Sequence, residues 1–282
     1  MLNCVIYVVT DTGFEYLADK ITKMKEQLEA ADVDFVVIRY EKETCKVPMK
    51  QDRLLVISDS PEAVKKMTAE GIYVTGFYHP QNNDEIFEGV SYAVTDVEEL
   101  TVYSYEEVYR RLAGIPWDIL ETERLYVRES TVEDVTDFYR IYGEPSMTDY
   151  IEDLFPEPEE ERAYMQDYIR QMYGFYGFGM WTVIEKSKGR IIGRAGLDVR
   201  EGYDLPELGF VIEKSYQQKG YAKEVCSAVL AYAKDELLFD KVQALVEKEN
   251  IGSVHLLKQL GFTYQRDVVE RGTIYQLMIK FL

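Results

Sequence analysis

The run Gln217-Gln218-Lys219-Gly220-Tyr221-Ala222 stands between the apolar stretch Leu208-Gly209-Phe210-Val211-Ile212 and a segment whose apolar positions, Ala222, Val225, Cys226, Val229, Leu230 and Ala233, recur in steps of three and four. That order predicts a strand, a short glycine-containing loop and an amphipathic helix. The first N–H groups of a helix have no internal partner and lie at the positive end of its dipole, so such a loop offers an anion site suited to a pyrophosphate. Gly220 would permit close backbone approach, and Ala222 keeps the first turn narrow. An ordinary strand-to-helix turn shares this bare pattern. The sequence has neither a Gly-x-x-x-x-Gly-Lys-Ser/Thr loop nor a Gly-x-Gly-x-x-Gly dinucleotide loop.

Further on, Asn250-Ile251-Gly252-Ser253 reads as a helix start, Gly261 as its terminator and Phe262 as the first residue of another strand. Metal chemistry has little material. Cys4, Cys45 and Cys226 are odd in number and far apart, which reads as a reducing compartment. His79 and His255 are the two histidines, too few for a histidine-built metal site.

These groups need elements to hold them. Residues 1–118 alternate β-type runs (5–9, 35–38, 54–57, 72–77 and 92–94) with helical stretches, one carrying Leu17, Ile21, Met24 and Leu28, one opening at Ser60-Pro61 and one over roughly 104–113. Alternation at this spacing predicts a Rossmann-like, mostly parallel sheet. Gly114-Ile115-Pro116-Trp117 breaks the pattern, so a domain boundary is expected near 118, with a second domain over 119–282. There Leu125-Tyr126-Val127-Arg128 is a strand with alternating faces, and Thr131 starts a helix ending near Gly143. An aromatic-rich helix follows an acidic stretch. Residues 180–184 and 191–197 then make a hairpin ahead of the strand at 208–212.

The chain has 282 residues and a formal net charge of −19, shared by both halves. Phosphate neutralisation supplies most nucleic-acid affinity, so that class of partner is excluded. No run approaches the ~20 apolar residues of a membrane span. The N-terminus lacks the basic region of a signal peptide, so a cytoplasmic protein is expected. Eight acids and no Lys or Arg fall within 144–161. They could attract a cationic partner, or form a solvated loop.

Taken in order, Gln217-x-x-Gly220-x-Ala222, Asn250-x-x-Ser253 and Leu260-Gly261-Phe262 resemble the GNAT superfamily of acyl-CoA-dependent N-acyltransferases over residues 120–282. The opening Glu121-Thr122-Glu123-Arg124-Leu125-Tyr126-Val127-Arg128 looks like the RimJ/RimL-like branch. The resemblance implies a mixed-sheet α/β domain whose fourth and fifth strands splay apart, with acetyl-CoA between them. Its pantetheine arm would bond backbone around Phe210, Val211 and Ile212. Gln217 belongs to the loop motif, and Gln218, Lys219, Gly220, Tyr221, Ala222 and Lys223 would hold the pyrophosphate. Asn250 would contact the cofactor from the later helix. Glu207 would act as general base, orient the acceptor or play a structural part. A lysine-type amine, with a pKa of ~10.4, needs such a base far more than an α-amine of pKa ~8. Many members protonate the departing thiolate with a tyrosine on the later helix. Here that place holds Leu257, which leaves Ser253 as the substitute, either catalytic or merely capping the helix or bonding the cofactor. Tyr221 and His255 are lesser candidates. The aromatics Tyr164, Tyr168, Tyr173, Phe175, Tyr176, Phe178 and Trp181 could line an acceptor pocket or seal the core.

Residues 1–118 resemble, weakly, a degenerate haloacid dehalogenase-like domain. Asp11-Thr12-Gly13 carries Gly13 where that family's phosphatases place a second Asp, and Ser58-Asp59 ends a strand. The leading reading is an N-acetyltransferase acting on a primary amine of a small molecule, peptide or protein terminus. A non-catalytic acyl-CoA sensor, or a phosphatase working through the first domain, are the alternatives. The acceptor and the oligomeric state are not readable.

Overall fold

A computed structural model describes residues 2–41, 53–90 and 92–282, which form two compact units, Met1–Trp117 and Asp118–Leu282. Cys45 lies outside the described residues.

The first unit runs β1 (Cys4–Val9), α1 (Asp11–Leu17), α2 (Ile21–Glu29), β2 (Asp34–Arg39), β3 (Leu54–Ser58), α3 (Pro61–Ala69), β4 (Val74–Phe77), β5 (Ala93–Val94) and α4 (Val102–Leu112). The sheet order is β2-β1-β3-β4-β5, all parallel. β1 is buried along its whole length, as a continuous Val/Ile run between two helical layers should be. The periodic stretch through Leu17 and Leu28 is two helices rather than one. α1 ends at Leu17, and the chain restarts at Ile21 after Lys20 donates its N–H to the Leu17 carbonyl at 2.8 Å.

The second unit contains β6 (Asp118–Glu121), β7 (Leu125–Arg128), α5 (Val135–Tyr142), α6 (Pro158–Tyr168), β8 (Met180–Glu185), β9 (Arg190–Asp198), β10 (Glu207–Ile212), α7 (Tyr221–Asp235), β11 (Lys241–Glu247), α8 (Ile251–Gln259), β12 (Thr263–Glu270) and β13 (Thr273–Phe281). Its eight strands lie in the order β12-β13-β11-β10-β9-β8-β7-β6. α6 passes into a π-helical segment over Ile169–Tyr176 that stops at Gly177, whose φ of +77° only glycine adopts freely. One core holds this unit together. Trp181, Val183 and Leu197 from the sheet, Phe138 and Ile141 from α5, and Val225, Cys226 and Val229 from α7 are all essentially inaccessible. Leu257 of α8 belongs to this core as well.

Candidate active site

β9 and β10 pair antiparallel through six registers, from Glu207 opposite Asp198 to Ile212 opposite Gly193. On its other side β10 meets parallel β11 at a single register, Glu207 opposite Gln243. Past that point the two strands diverge. Alternate residues of β10 turn their backbone groups to opposite sides. The Glu213 N–H bonds Ile192 beyond β10 and the Gln243 N–H bonds Pro206 ahead of it, so Phe210 and Ile212, not Val211, face a gap instead of a neighbouring strand. An extended amide-bearing chain can complete that arrangement.

The gap opens at the loop that the sequence singled out. Gln217 donates its side-chain amide to the Ile212 carbonyl at 2.9 Å, tying the loop to the end of β10. Gln218 (φ +59°) and Gly220 (φ +86°) both take the left-handed conformation, and Gly220 is the N-cap of α7. No side chain caps this helix, so its first N–H groups are open to an incoming anion. Lys219 turns its ammonium back to the Ser215 carbonyl at 2.7 Å. Tyr221 packs edge-on to Tyr216, and Ala222 lies against the core. Lys223 is exposed at the rim of a groove of about 360 Å³ between α7, α8 and the end of β13. The glycine at the cap, the uncapped helix and the free strand edge together fit a pantetheine–pyrophosphate ligand.

Asn250 is the N-cap of α8, its Oδ1 accepting the Ser253 N–H at 3.1 Å. Its side-chain oxygen is thus spent on the helix start that the sequence marks at this residue. The Ser253 hydroxyl, in contrast, makes no hydrogen bond among the described residues, and the side chain is partly exposed. His255 is exposed and lies beside Gln259.

A row of polar groups crosses the sheet where the strands part. Asp198, Glu207 and Gln243 are register neighbours on β9, β10 and β11, and register neighbours project from the same face. Glu207 is nearly buried and gripped on both oxygens by Arg200, at 2.9 Å through Nη2 and through Nε, while Arg200 Nη1 reaches Glu270 at 2.7 Å. Burial raises the Glu207 carboxyl above its ordinary value, Arg200 opposing and Asp198 and Glu270 reinforcing the rise. Asp198 has no ion-pair partner among the described residues. It accepts the Val199 N–H at 2.8 Å, and burial lifts its carboxyl too, against the pull of Arg194 and Arg200. Gln243 is buried, and its Nε2 has no partner among the described residues. Sequence reasoning found Glu207 alone. Asp198 and Gln243 are single residues on separate strands, and only register joins them.

The aromatic cluster divides. Tyr168, Tyr173, Phe178 and Trp181 are core, with Tyr168 accepting the Met180 N–H at 2.6 Å, whereas Tyr164, Phe175 and Tyr176 are exposed. Of the eight acids in 144–161, Glu161 alone is buried, accepting the Phe155 N–H at 3.1 Å.

In the first unit Asp11 and Asp59 do not converge. Asp11 is exposed and pairs with Arg39 at 2.7 Å. Asp59 is buried, accepting the Thr10 N–H at 2.7 Å and the Thr10 hydroxyl at 2.5 Å, with His79 Nε2 at 3.1 Å. A Cβ at Gly13 would fall 2.2 Å from the Asp59 carboxylate, so only glycine fits there without displacing Asp59. Among the described residues no group of three or more His, Cys, Asp or Glu could hold a metal, and no helix is long and apolar enough to cross a membrane.

Residues 124–263 match the family model of the acetyltransferase (GNAT) domain. The chain is 27% identical over 159 residues to the uncharacterized N-acetyltransferase YoaA of Bacillus subtilis, covering 56% of this chain and 89% of that one. It is 26% identical over 152 residues to the uncharacterized protein YkkB of the same organism, covering 53% and 87%. A putative GnaT-family acetyltransferase from Bordetella pertussis shares the fold, with a TM-score of 0.51 at 23% identity over 58% of this chain and 99% of its own. Residues 124–263, within the second unit, are a GNAT acetyltransferase domain.

Proposed function

We propose that the second unit transfers an acetyl group from acetyl-CoA to a primary amine. The observation that carries this reading is the divergence of β10 and β11 immediately beside the uncapped, glycine-started helix α7. When bound, acetyl-CoA supplies the activated thioester. The chain's own residues do the rest. Backbone groups of Phe210 and Ile212 along the open edge of β10 align the pantetheine arm around Val211, and one of their N–H groups faces the developing oxyanion. N–H groups of Gly220, Tyr221 and Ala222 bind the pyrophosphate.

The acceptor arrives as an ammonium and must lose a proton before it attacks. Asp198, with no cation of its own, takes that proton directly or through water, and Glu207, locked by Arg200, orients the amine. The second nitrogen proton passes to the departing sulfur with the Ser253 hydroxyl as relay. The balance is then complete: a C–N bond forms, a C–S bond breaks, and one proton is released through Asp198. The exposed acids between Glu144 and Glu160 favour a cationic acceptor.

Calorimetric titration with acetyl-CoA, on the wild type and on Gly220→Glu, tests the reading. Micromolar binding that the substitution abolishes is expected, because the new side chain is strained at φ +86° and places a carboxylate in the anion site. An amine panel follows. Absence of binding to the wild type would overturn the reading.

A further inference from the structure

The motif Glu121-Thr122-Glu123-Arg124 lies far from the anion loop in sequence, yet Arg124 reaches it. Arg124 Nη1 donates to the Lys219 carbonyl at 3.1 Å, and its guanidinium lies 4.1 Å from the centroid of the Tyr221 ring. A Cβ at Gly220 would sit 3.4 Å from Nη2. Its Nε and Nη2 both bind Glu224 Oε2 at 2.6 Å. The other oxygen, Oε1, accepts the Arg124 N–H at 3.0 Å and the Thr122 hydroxyl at 2.6 Å.

Two consequences follow from peptide geometry and charge. The Lys219 carbonyl and the Gly220 N–H belong to one planar trans peptide and point in opposite directions. Fixing the carbonyl on Arg124 therefore aims the Gly220 N–H away from it. This matters because Lys219 lies between two left-handed residues, one of them the non-glycine Gln218, a conformation that needs an external hold. Glu224, for its part, lies in the first turn of α7, where its negative charge would repel a bound phosphate. Partial burial would raise its carboxyl, but the Thr122 hydroxyl and the Arg124 N–H and guanidinium outweigh that and hold it below its ordinary value, ionised and matched by a cation.

We propose that Arg124 is a positioning residue for the donor's pyrophosphate, holding the Lys219 peptide so that the loop N–H groups face the ligand and neutralising Glu224 behind them. This rests on the acyl-CoA reading of the site. The test compares CoA, by calorimetry, with pantetheine, which lacks the pyrophosphate, by ligand-observed NMR. Arg124→Met keeps the aliphatic stem and removes the fork, and a loss of about 10- to 100-fold in CoA affinity is expected for one charge-assisted set of hydrogen bonds. Pantetheine affinity should not change. Adding Glu224→Gln should recover part of the loss, since the unmatched carboxylate is gone. Arg124→Lys, a less disruptive change, keeps the charge but cannot bridge Lys219 and Glu224 together, and should fall between. Unchanged CoA affinity in both Arg124 variants overturns the proposal. So does equal weakening of CoA and pantetheine, the mark of a general disturbance. Failure of the wild type to bind CoA would instead remove the underlying reading.

Discussion

Asp198 and Glu207 are the same chemical group in adjacent places, and their partners separate their roles. Arg200 occupies both oxygens of Glu207, while Asp198 holds one backbone N–H. Burial raises the Asp198 carboxyl, while the Val199 N–H and Arg194 and Arg200 on its own strand and loop oppose the rise. Asp198 in turn faces Glu207 across the register and Tyr164 and Tyr168 from α6, raising all three. Burial wins, so its carboxyl titrates above the ordinary range. Asp198, the proposed base, acts only when ionised. On the acid side, kcat/KM should therefore rise with pH through a limb that lies higher than for an exposed carboxylate. Asp198→Asn preserves the bond to Val199 and should lower kcat by about 10²- to 10⁴-fold, the range for loss of a general base, and erase the limb. Glu207→Gln should keep the limb and act mainly on KM. Retention of the limb in Asp198→Asn would reverse the assignment. Ser253→Ala should reduce kcat while acetyl-CoA affinity, read by calorimetry, stays constant.

At the scale of elements, the two helices that flank the gap start in different ways for different reasons. α8 has a capping side chain in Asn250, which fixes the turn that presents Ser253. Asn250→Ala should cost about 1 kcal/mol of stability in denaturant melts, the usual value of an N-cap, without removing CoA binding. α7 has no capping side chain, and its stability comes from the buried stripe Val225, Cys226, Val229, Leu230 and Ala233. That stripe frees the N-terminus for a ligand, since the helix does not depend on capping. The stripe was legible in the sequence because helical periodicity is local. The π-helical turn at 169–176 was not, because a change from i→i+4 to i→i+5 bonding leaves the same residue types in the same order.

For the whole molecule, the second unit carries its own core and all of the proposed site. Residues 118–282 expressed alone should bind acetyl-CoA with the affinity of the full chain. A loss greater than about tenfold, 1.4 kcal/mol, would show that the first unit contributes to binding. The net charge of −19 should also make the apparent affinity for a cationic amine fall as salt is raised from low to physiological ionic strength, where the Debye length is about 8 Å. A neutral analogue of the same amine should show no such trend.

Most of the strands and helices, the glycine loop before α7, the helix start at Asn250 and the excess of acid were written in the sequence, because periodicity, turn chemistry and composition act over a few residues at a time. β6, β11, β13 and the break between α1 and α2 were not read from it. Tertiary structure alone decided which groups meet. Asp198, Glu207 and Gln243 become a row because β9, β10 and β11 align at one register, beyond which β11 parts from β10. Arg124 reaches Glu224 across 100 positions because α7 packs beside β6 and the turn after it. Thr10 closes over Asp59 because parallel strands bring their carboxyl ends together. These are non-local pairings, and no local rule of spacing encodes them.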